Sequence, residues 1–159
     1  MQIRKFDQNN TAELKQVYSV QIAAYNVEAE IIGAEPFPPL HGTLQELRDS
    51  RDESYVYLVD DVAVGAIFLE MTATSVLISK LIVLPDFFRR GIARTLISHC
   101  LKLYPETDFE VGTGSGNFPA LELYRSFGFR IFEEALLEEN IRICRLQLPA
   151  GSGIDVVLR

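Results

Sequence analysis

The stretch LPDFFRRGIARTLI, residues 84–97, decides how the rest of the chain is read. It runs from a proline through two aromatics, two adjacent arginines and a glycine into an apolar pattern of helical period. Ile92, Leu96, Ile97, Cys100 and Leu101 share one face of that helix. A helix start exposes backbone N–H groups that lack intrahelical partners and together carry a partial positive charge. Arg89, Arg90 and Gly91 on that doorstep can therefore receive an anion: glycine admits close approach to the backbone, and arginine adds charge-assisted hydrogen bonds. Solvated arginines beside a strain-relieving glycine would explain the same residues, so the segment alone leaves both readings open.

Working outward, SVLISKLIVL before it (about Ser75 to Leu84) reads as a strand. Ser54 to Met71 is rich in Val, Tyr, Ile and Phe and is broken at Asp60-Asp61, which predicts two antiparallel strands joined by a tight turn. MQIRKF predicts a first strand. Asn10 followed by Glu13 opens a helix whose Leu14, Val17, Tyr18, Ile22 and Tyr25 lie on one face, ending at about Tyr25. NVEAEIIGAEPFPPLHG then reads as a loop, and Thr43 with Glu46 opens a short helix to about Asp49. After the quoted segment come a strand DFEVGT, a glycine-rich turn and a helix from about Pro119 to Phe127 stopped by Gly128. Strands near Arg130 to Glu133 and Ile141 to Leu148 complete the set. The tail PAGSGIDVVLR reads as an extra edge strand or a segment that pairs with a second chain, leaving monomer and homodimer both open. The expectation is one α/β (α+β) domain over residues 1–159, with no repeat and no linker.

Composition narrows the classes. A chain of 159 residues, 48% hydrophobic and 23% charged, is long enough for a real core and unlike disordered or fibrous sequences. A net charge of −7 argues against sequence-independent binding of nucleic acid or anionic lipid. Cys100 and Cys144, the two cysteines, sit in apolar stretches and read as reduced core residues. No stretch reads as a signal peptide or approaches the ~18 apolar residues of a membrane span, so the expectation is a soluble cytoplasmic protein.

A second segment, SGNFPALELYRSFGF at residues 115–129, places Asn117 at a helix start, Ala120 and Tyr124 on one face of that helix, and Gly128-Phe129 at its end. Taken with FRRGIA at 88–93, the chain resembles the GCN5-related N-acetyltransferases (GNAT). Their acetyl-CoA signature is a strand and then Gln/Arg-x-x-Gly-x-Gly/Ala opening a helix, met here at Gly91 and Ala93. Phe88 stands where Gln or Arg is usual, which removes one polar side chain and leaves the backbone donors. The later pattern Asn-x-x-Ala-x-x-x-Tyr with Gly-Phe is met by Asn117, Ala120, Tyr124, Gly128 and Phe129. The order of elements agrees as well.

The resemblance implies a GNAT fold, a mixed and mostly antiparallel sheet of about seven strands flanked by about four helices. It also implies transfer of acetyl from acetyl-CoA to a primary amine of a small molecule or peptide, by direct attack through a tetrahedral intermediate. Backbone groups of Leu81 and Val83, with Ile82 between them, would pair with the pantetheine arm. The loop from Phe88 through Arg89, Arg90, Gly91, Ile92, Ala93 and Arg94 would hold the diphosphate. Asn117 and Ala120 would line the cofactor, the Tyr124 hydroxyl would sit by its sulfur, and the Val83 N–H would face the thioester oxygen. Tyr25, Phe37 and His41, between the first two helices, would line the acceptor site.

Chemistry adds one demand. An alkyl amine, with pKa about 10 judging by lysine, is protonated near pH 7 and must lose a proton before it attacks. Glu70 and Glu110 are the candidate bases; His99 and His41 rank below them. His99 and Cys100, adjacent on a helix, cannot face each other as a nucleophile pair. Two rivals remain. One is a non-catalytic acyl-CoA-binding module of the same fold. The other is an S-adenosylmethionine methyltransferase, suggested by EVGTGSG at 110–116 and opposed by a chain too short after Gly116 for several βαβ units of ~30 residues each.

Overall fold

The computed structural model describes residues 1–34, 37–138 and 141–152. Seven strands form one sheet: β1 (Gln2–Lys5), β2 (Glu53–Val59), β3 (Val62–Met71), β4 (Ser75–Val83), β5 (Asp108–Gly114), β6 (Arg130–Glu138) and β7 (Ile141–Leu148). The helices are α1 (Thr11–Ile32), α2 (Leu44–Asp49), α3 (Ile92–Leu103) and α4 (Phe118–Ser126). The sheet order is β1-β2-β3-β4-β5-β7-β6, and β4–β5 is the one parallel pair among the described residues. This is the mixed, mostly antiparallel seven-stranded sheet with four helices expected from the sequence.

β2 and β3 are buried on both faces, so their runs lack a clean apolar–polar alternation. Tyr55 and Tyr57 point into one core with α3 and α4, while Val56 and Leu58 point into a second core with α1 and α2. The break at Asp60-Asp61 is a hairpin turn in which both residues have positive φ, 50° and 63°, as a two-residue turn of the right twist requires. Cys100 and Cys144 are buried and free.

Two expectations change. α1 does not stop near Tyr25 but runs two further turns to Ile32, ending on Gly33 in the left-handed region at φ 66°. Thus Asn26–Ile32, read as loop from the prolines beyond it, is helical; the Pro38–His41 segment is a single 3₁₀ turn. β6 also continues past Glu133 to Glu138, as an edge strand whose outer face carries exposed Phe132 and Leu136. In the tail, residues 153–159 lie outside the described residues.

Gly65 lets α3 lie on the sheet. A Cβ there would come within 3.0 Å of Ile92 Cγ2 and 3.3 Å of the Ile82 carbonyl oxygen. Gly65→Val is therefore expected to destabilise the fold by about 1–3 kcal/mol in denaturant titrations, the ordinary cost of overpacking. Gly112→Ala, whose Cβ would meet only the Cys144 carbonyl at 3.8 Å, is expected to be close to neutral.

Candidate functional site

β4 and β5 are paired from Ser75–Asp108 to Ile78–Val111, and beyond that the β5-facing edge of β4 is open. The Leu84 N–H bonds to the Val64 carbonyl, so Leu84, Ile82 and Lys80 direct their backbone groups to β3. In an antiparallel ladder the intervening residues, Leu81 and Val83, then direct theirs to the open side. A cleft between two diverging strands is thus lined by backbone donors and acceptors with no strand to satisfy them.

At the end of β4 the chain makes a 3₁₀ turn at Pro85–Phe87 and enters α3 through Arg89 at φ 63° and Gly91 at φ 78°. α1, α2 and α4 are each capped by a side chain, from Asn10, Thr43 and Asn117. α3 begins on Gly91 and has no side-chain cap, so its first N–H groups face outward unengaged. Arg89 and Arg90 are exposed, and among the described residues neither is in an ion pair. Arg90 lies 4.8 Å from the Phe87 ring centre and Arg94 4.7 Å from that of Phe127, which orients both guanidiniums without neutralising them. Phe88 is exposed, whereas Ile92 is buried and Ala93 packs against the core, anchoring the helix below the loop. Uncapped N–H groups, a left-handed turn and unpaired arginines fit a diphosphate, and the open edge of β4 fits an amide-bearing arm.

α4 supplies the second wall. The Asn117 side chain accepts from the Ala120 N–H at 3.3 Å, so it caps the helix. Ala120 is half-buried, and one turn on Tyr124 is buried with its ring edge against Phe129, 5.6 Å between centres. The reversal at Gly128, φ 102°, brings Phe129 back onto that ring. Burial raises the Tyr124 pKa well above the ordinary phenol value, and the nearby Glu28 carboxylate and then Tyr25 add to the rise. The phenol therefore stays protonated through the physiological range.

Around Tyr124 the structure gathers a group that the sequence reading divided. Tyr25 is raised by burial and by Glu28; Glu28 is raised by burial, with the Asn117 amide favouring its charged form in opposition. Phe37 packs edge-on to Tyr25 at 6.0 Å, and His41 is exposed at the end of the 3₁₀ turn. Glu28 was missed because α1 was ended at Tyr25. Its signal was present, since Glu28 and Ile32 continue the helical spacing from Gln21 and Tyr25.

The two candidate carboxylates stand elsewhere. Glu70 and Glu110 flank Leu77 in the paired part of the sheet, before the strands part. Glu70 is exposed, and Glu110 accepts from Arg145 at 3.2 Å, which also holds Glu133 at 2.7 Å. Neither is among the groups acting on Tyr124. His99 lies 4.7 Å from the Tyr55 ring, with its pKa lowered by burial and its Nε2 buried without a partner. Among the glycines of EVGTGSG, Gly114 has a packing cause: a Cβ there would come within 2.9 Å of Ile32 Cγ2, whereas one on Gly116 would make ordinary contact, 3.7 Å from Ile32 Cα. Gly114 admits the end of α1. The mixed sheet has no doubly wound half for a methyltransferase site.

No helix among the described residues is long and apolar enough to cross a membrane. Comparison with known proteins agrees with the fold. The chain is 28% identical over 145 residues to the UPF0157 protein YqkA of Bacillus subtilis (strain 168), covering 91% of this chain and 42% of that protein's length. It superposes on the ribosomal-protein-S18-alanine N-acetyltransferase of Escherichia coli with TM-score 0.73 at 16% identity, covering 94% of this chain and 93% of that one. With the PaiA N-acetyltransferase of Thermoplasma acidophilum, solved in complex with coenzyme A, the TM-score is 0.71 at 14% identity, over 91% and 96% of the two chains. Residues 14–129 match the acetyltransferase (GNAT) family, and the chain belongs to it.

Proposed function

We propose that this protein is an acetyl-CoA-dependent N-acetyltransferase acting on a primary amine of a small molecule or peptide. The observation that carries the reading is the start of α3: among the described residues it alone of the α-helices has no side-chain cap, and two exposed arginines outside any ion pair there surround it. The loop from Phe88 to Arg94 would hold the diphosphate, and the open backbone of Leu81 and Val83 would pair with the pantetheine arm. Bound there, acetyl-CoA supplies an acetyl group on a thioester whose sulfur leaves as the new amide forms.

The chain's own groups then have distinct tasks. The Val83 N–H, turned to the cleft, donates to the oxygen on which negative charge grows. Tyr124, protonated at neutral pH, carries the proton that the departing sulfur requires. Its raised pKa makes it a reluctant phenolate, which favours recovery of that proton within the same turnover. Tyr25, Phe37 and His41 border the acceptor side. Coenzyme A in the crystal of PaiA supports the choice of cofactor, and the acceptor amine is the open variable.

Three measurements test the reading. A thiol-release screen with acetyl-CoA against amino acids, polyamines, aminoglycosides and peptide N-termini is expected to return at least one amine; tight binding with no release against any of them would indicate a binding module instead. Gly91→Asp puts a Cβ at φ 78° and a negative charge where the diphosphate would sit, and is expected to weaken acetyl-CoA binding at least about tenfold by calorimetry. Wild-type affinity would remove the site. Tyr124→Phe is expected to lower turnover about 10²-fold or more while acetyl-CoA affinity stays within about threefold of wild type; an unchanged turnover would end the acid role.

A further inference from the structure

One side of α1 carries Leu14, Val17, Gln21, Tyr25, Glu28 and Ile32 at steps of three and four residues. The first two turns of this stripe are apolar and buried. At Gln21 it becomes polar: the Gln21 Oε1 accepts from Lys80 Nζ at 2.8 Å. The helix end is seated by contact of Ile32 with the glycine turn after β5, where Gly114 has no room for a Cβ. Glu28 lies one turn before Ile32 on the same side, so that contact sets the carboxylate against Asn117 and Tyr124. Glu28 is half-buried, and beside Ile32 opens a cleft of about 480 Å³ walled by Ala34, Ser115, Gly116, Ile141 and Arg142.

We propose that Glu28 is the general base that takes the proton from the acceptor's ammonium, beside Tyr25 on its own helix and Tyr124 on α4. The assignment rests on the transferase reading above and puts the base beside Tyr124, on which Glu70 and Glu110, in the paired part of the sheet, do not act. One ammonium proton passes to the carboxylate and from there to solvent. The nitrogen lone pair so freed forms the bond to the acetyl carbon as the carbon–sulfur bond breaks. The second nitrogen proton, released as the amide forms, replaces the one that Tyr124 gives to the sulfur. Products are the amide, the free thiol and one proton in solution.

The surroundings suit that task. Burial raises the Glu28 pKa from the ordinary carboxylate value toward the working pH, where a base is most effective. Of the groups that face it, Tyr25 on its own helix and Tyr124 on α4 are held neutral by burial, so neither competes for the proton. The Asn117 amide on α4 favours the charged form of Glu28. Lys80 from β4 is engaged by Gln21 two turns earlier, and Arg142 from β7 lines the cleft beside Ile32.

Two nucleophiles separate this role from a structural one. Thiol release is measured for wild type, Glu28→Gln and Glu28→Asp with the amine returned by the screen and with hydroxylamine, which is already neutral at pH 7. Glu28→Gln is expected to lose about 10²-fold or more with the amine yet stay within about threefold with hydroxylamine, and Glu28→Asp to recover part of the amine rate. Equal losses with both nucleophiles, or an amine rate that survives in Glu28→Gln, overturn the assignment. Thiol release by wild type with neither nucleophile fails the transferase reading itself. Independently of turnover, carboxyl ¹³C titration of the acetyl-CoA-bound protein is expected to place the Glu28 resonance, identified by its loss in Glu28→Gln, above the ordinary glutamate midpoint; a midpoint at or below it also overturns the role.

Discussion

β4 and β5 share hydrogen bonds over only four register positions, from Ser75–Asp108 to Ile78–Val111, and then diverge while each keeps its antiparallel partner on the other side. That divergence leaves the backbone of Leu81 and Val83 with donors and acceptors that no strand satisfies, a costly state for a buried ladder unless something pairs with them. The same divergence sets the distance between the two helices that follow. α3 leaves the end of β4 and is held down by Ile92 against Gly65; α4 leaves the end of β5 and is held by Tyr124 and Phe129 in the same core. A binding cleft, an uncapped helix start and a buried phenol thus follow from one break in one ladder.

Electrostatics divide the molecule in a way that net charge conceals. The chain carries −7 overall, yet the entrance to α3 is locally cationic and its arginines are spaced by aromatic stacking instead of carboxylates. An ion pair there would fill the coordination that an incoming anion needs. Carboxylates of the central sheet are handled in the opposite way: Glu110 and Glu133 share Arg145, which engages them. Glu28 belongs to neither class. It is partly desolvated, faces an amide instead of a cation, and so retains basicity that a paired carboxylate gives up.

The legible parts were those in which local chemistry and tertiary role coincide. Gly91 signals a left-handed helix entrance because few other residues adopt φ 78°, and Asp60-Asp61 signals a hairpin for a related reason. Asn10, Thr43 and Asn117 announce helix starts because their side chains do the capping. What was not legible lay where long-range packing overrides a local sign. The prolines after Ile32 suggested a loop from Asn26 onward, but α1 runs on to Ile32, which packs closely over Gly114 and borders Gly116. Those glycines were in turn open to a nucleotide-binding reading because spacing alone does not tell a glycine that admits a ligand from one that admits a neighbouring helix. A helix ended at Tyr25 leaves Glu28 in a loop, and the strand carboxylates Glu70 and Glu110 then stand out as the candidate bases.

Keeping an ionisable carboxylate at that position has a consequence for stability. Because burial raises its pKa in the folded state, Glu28 binds a proton more tightly in the fold than in the unfolded chain. Its contribution to stability is therefore fully present below the unfolded carboxylate pKa and is lost as pH rises through the folded value. Once ionised, the carboxylate is a partly desolvated negative charge that a neutral amide would spare the fold. Asn117 offsets part of that burden by favouring the charged form, and it can do so because its carbonyl oxygen is already committed to the Ala120 N–H. One side chain thus caps α4 and limits the cost of the charge. The arrangement gives up stability at one point on α1 for a carboxylate with no cationic partner among the described residues, and a proton acceptor needs that freedom more than the core needs another apolar contact.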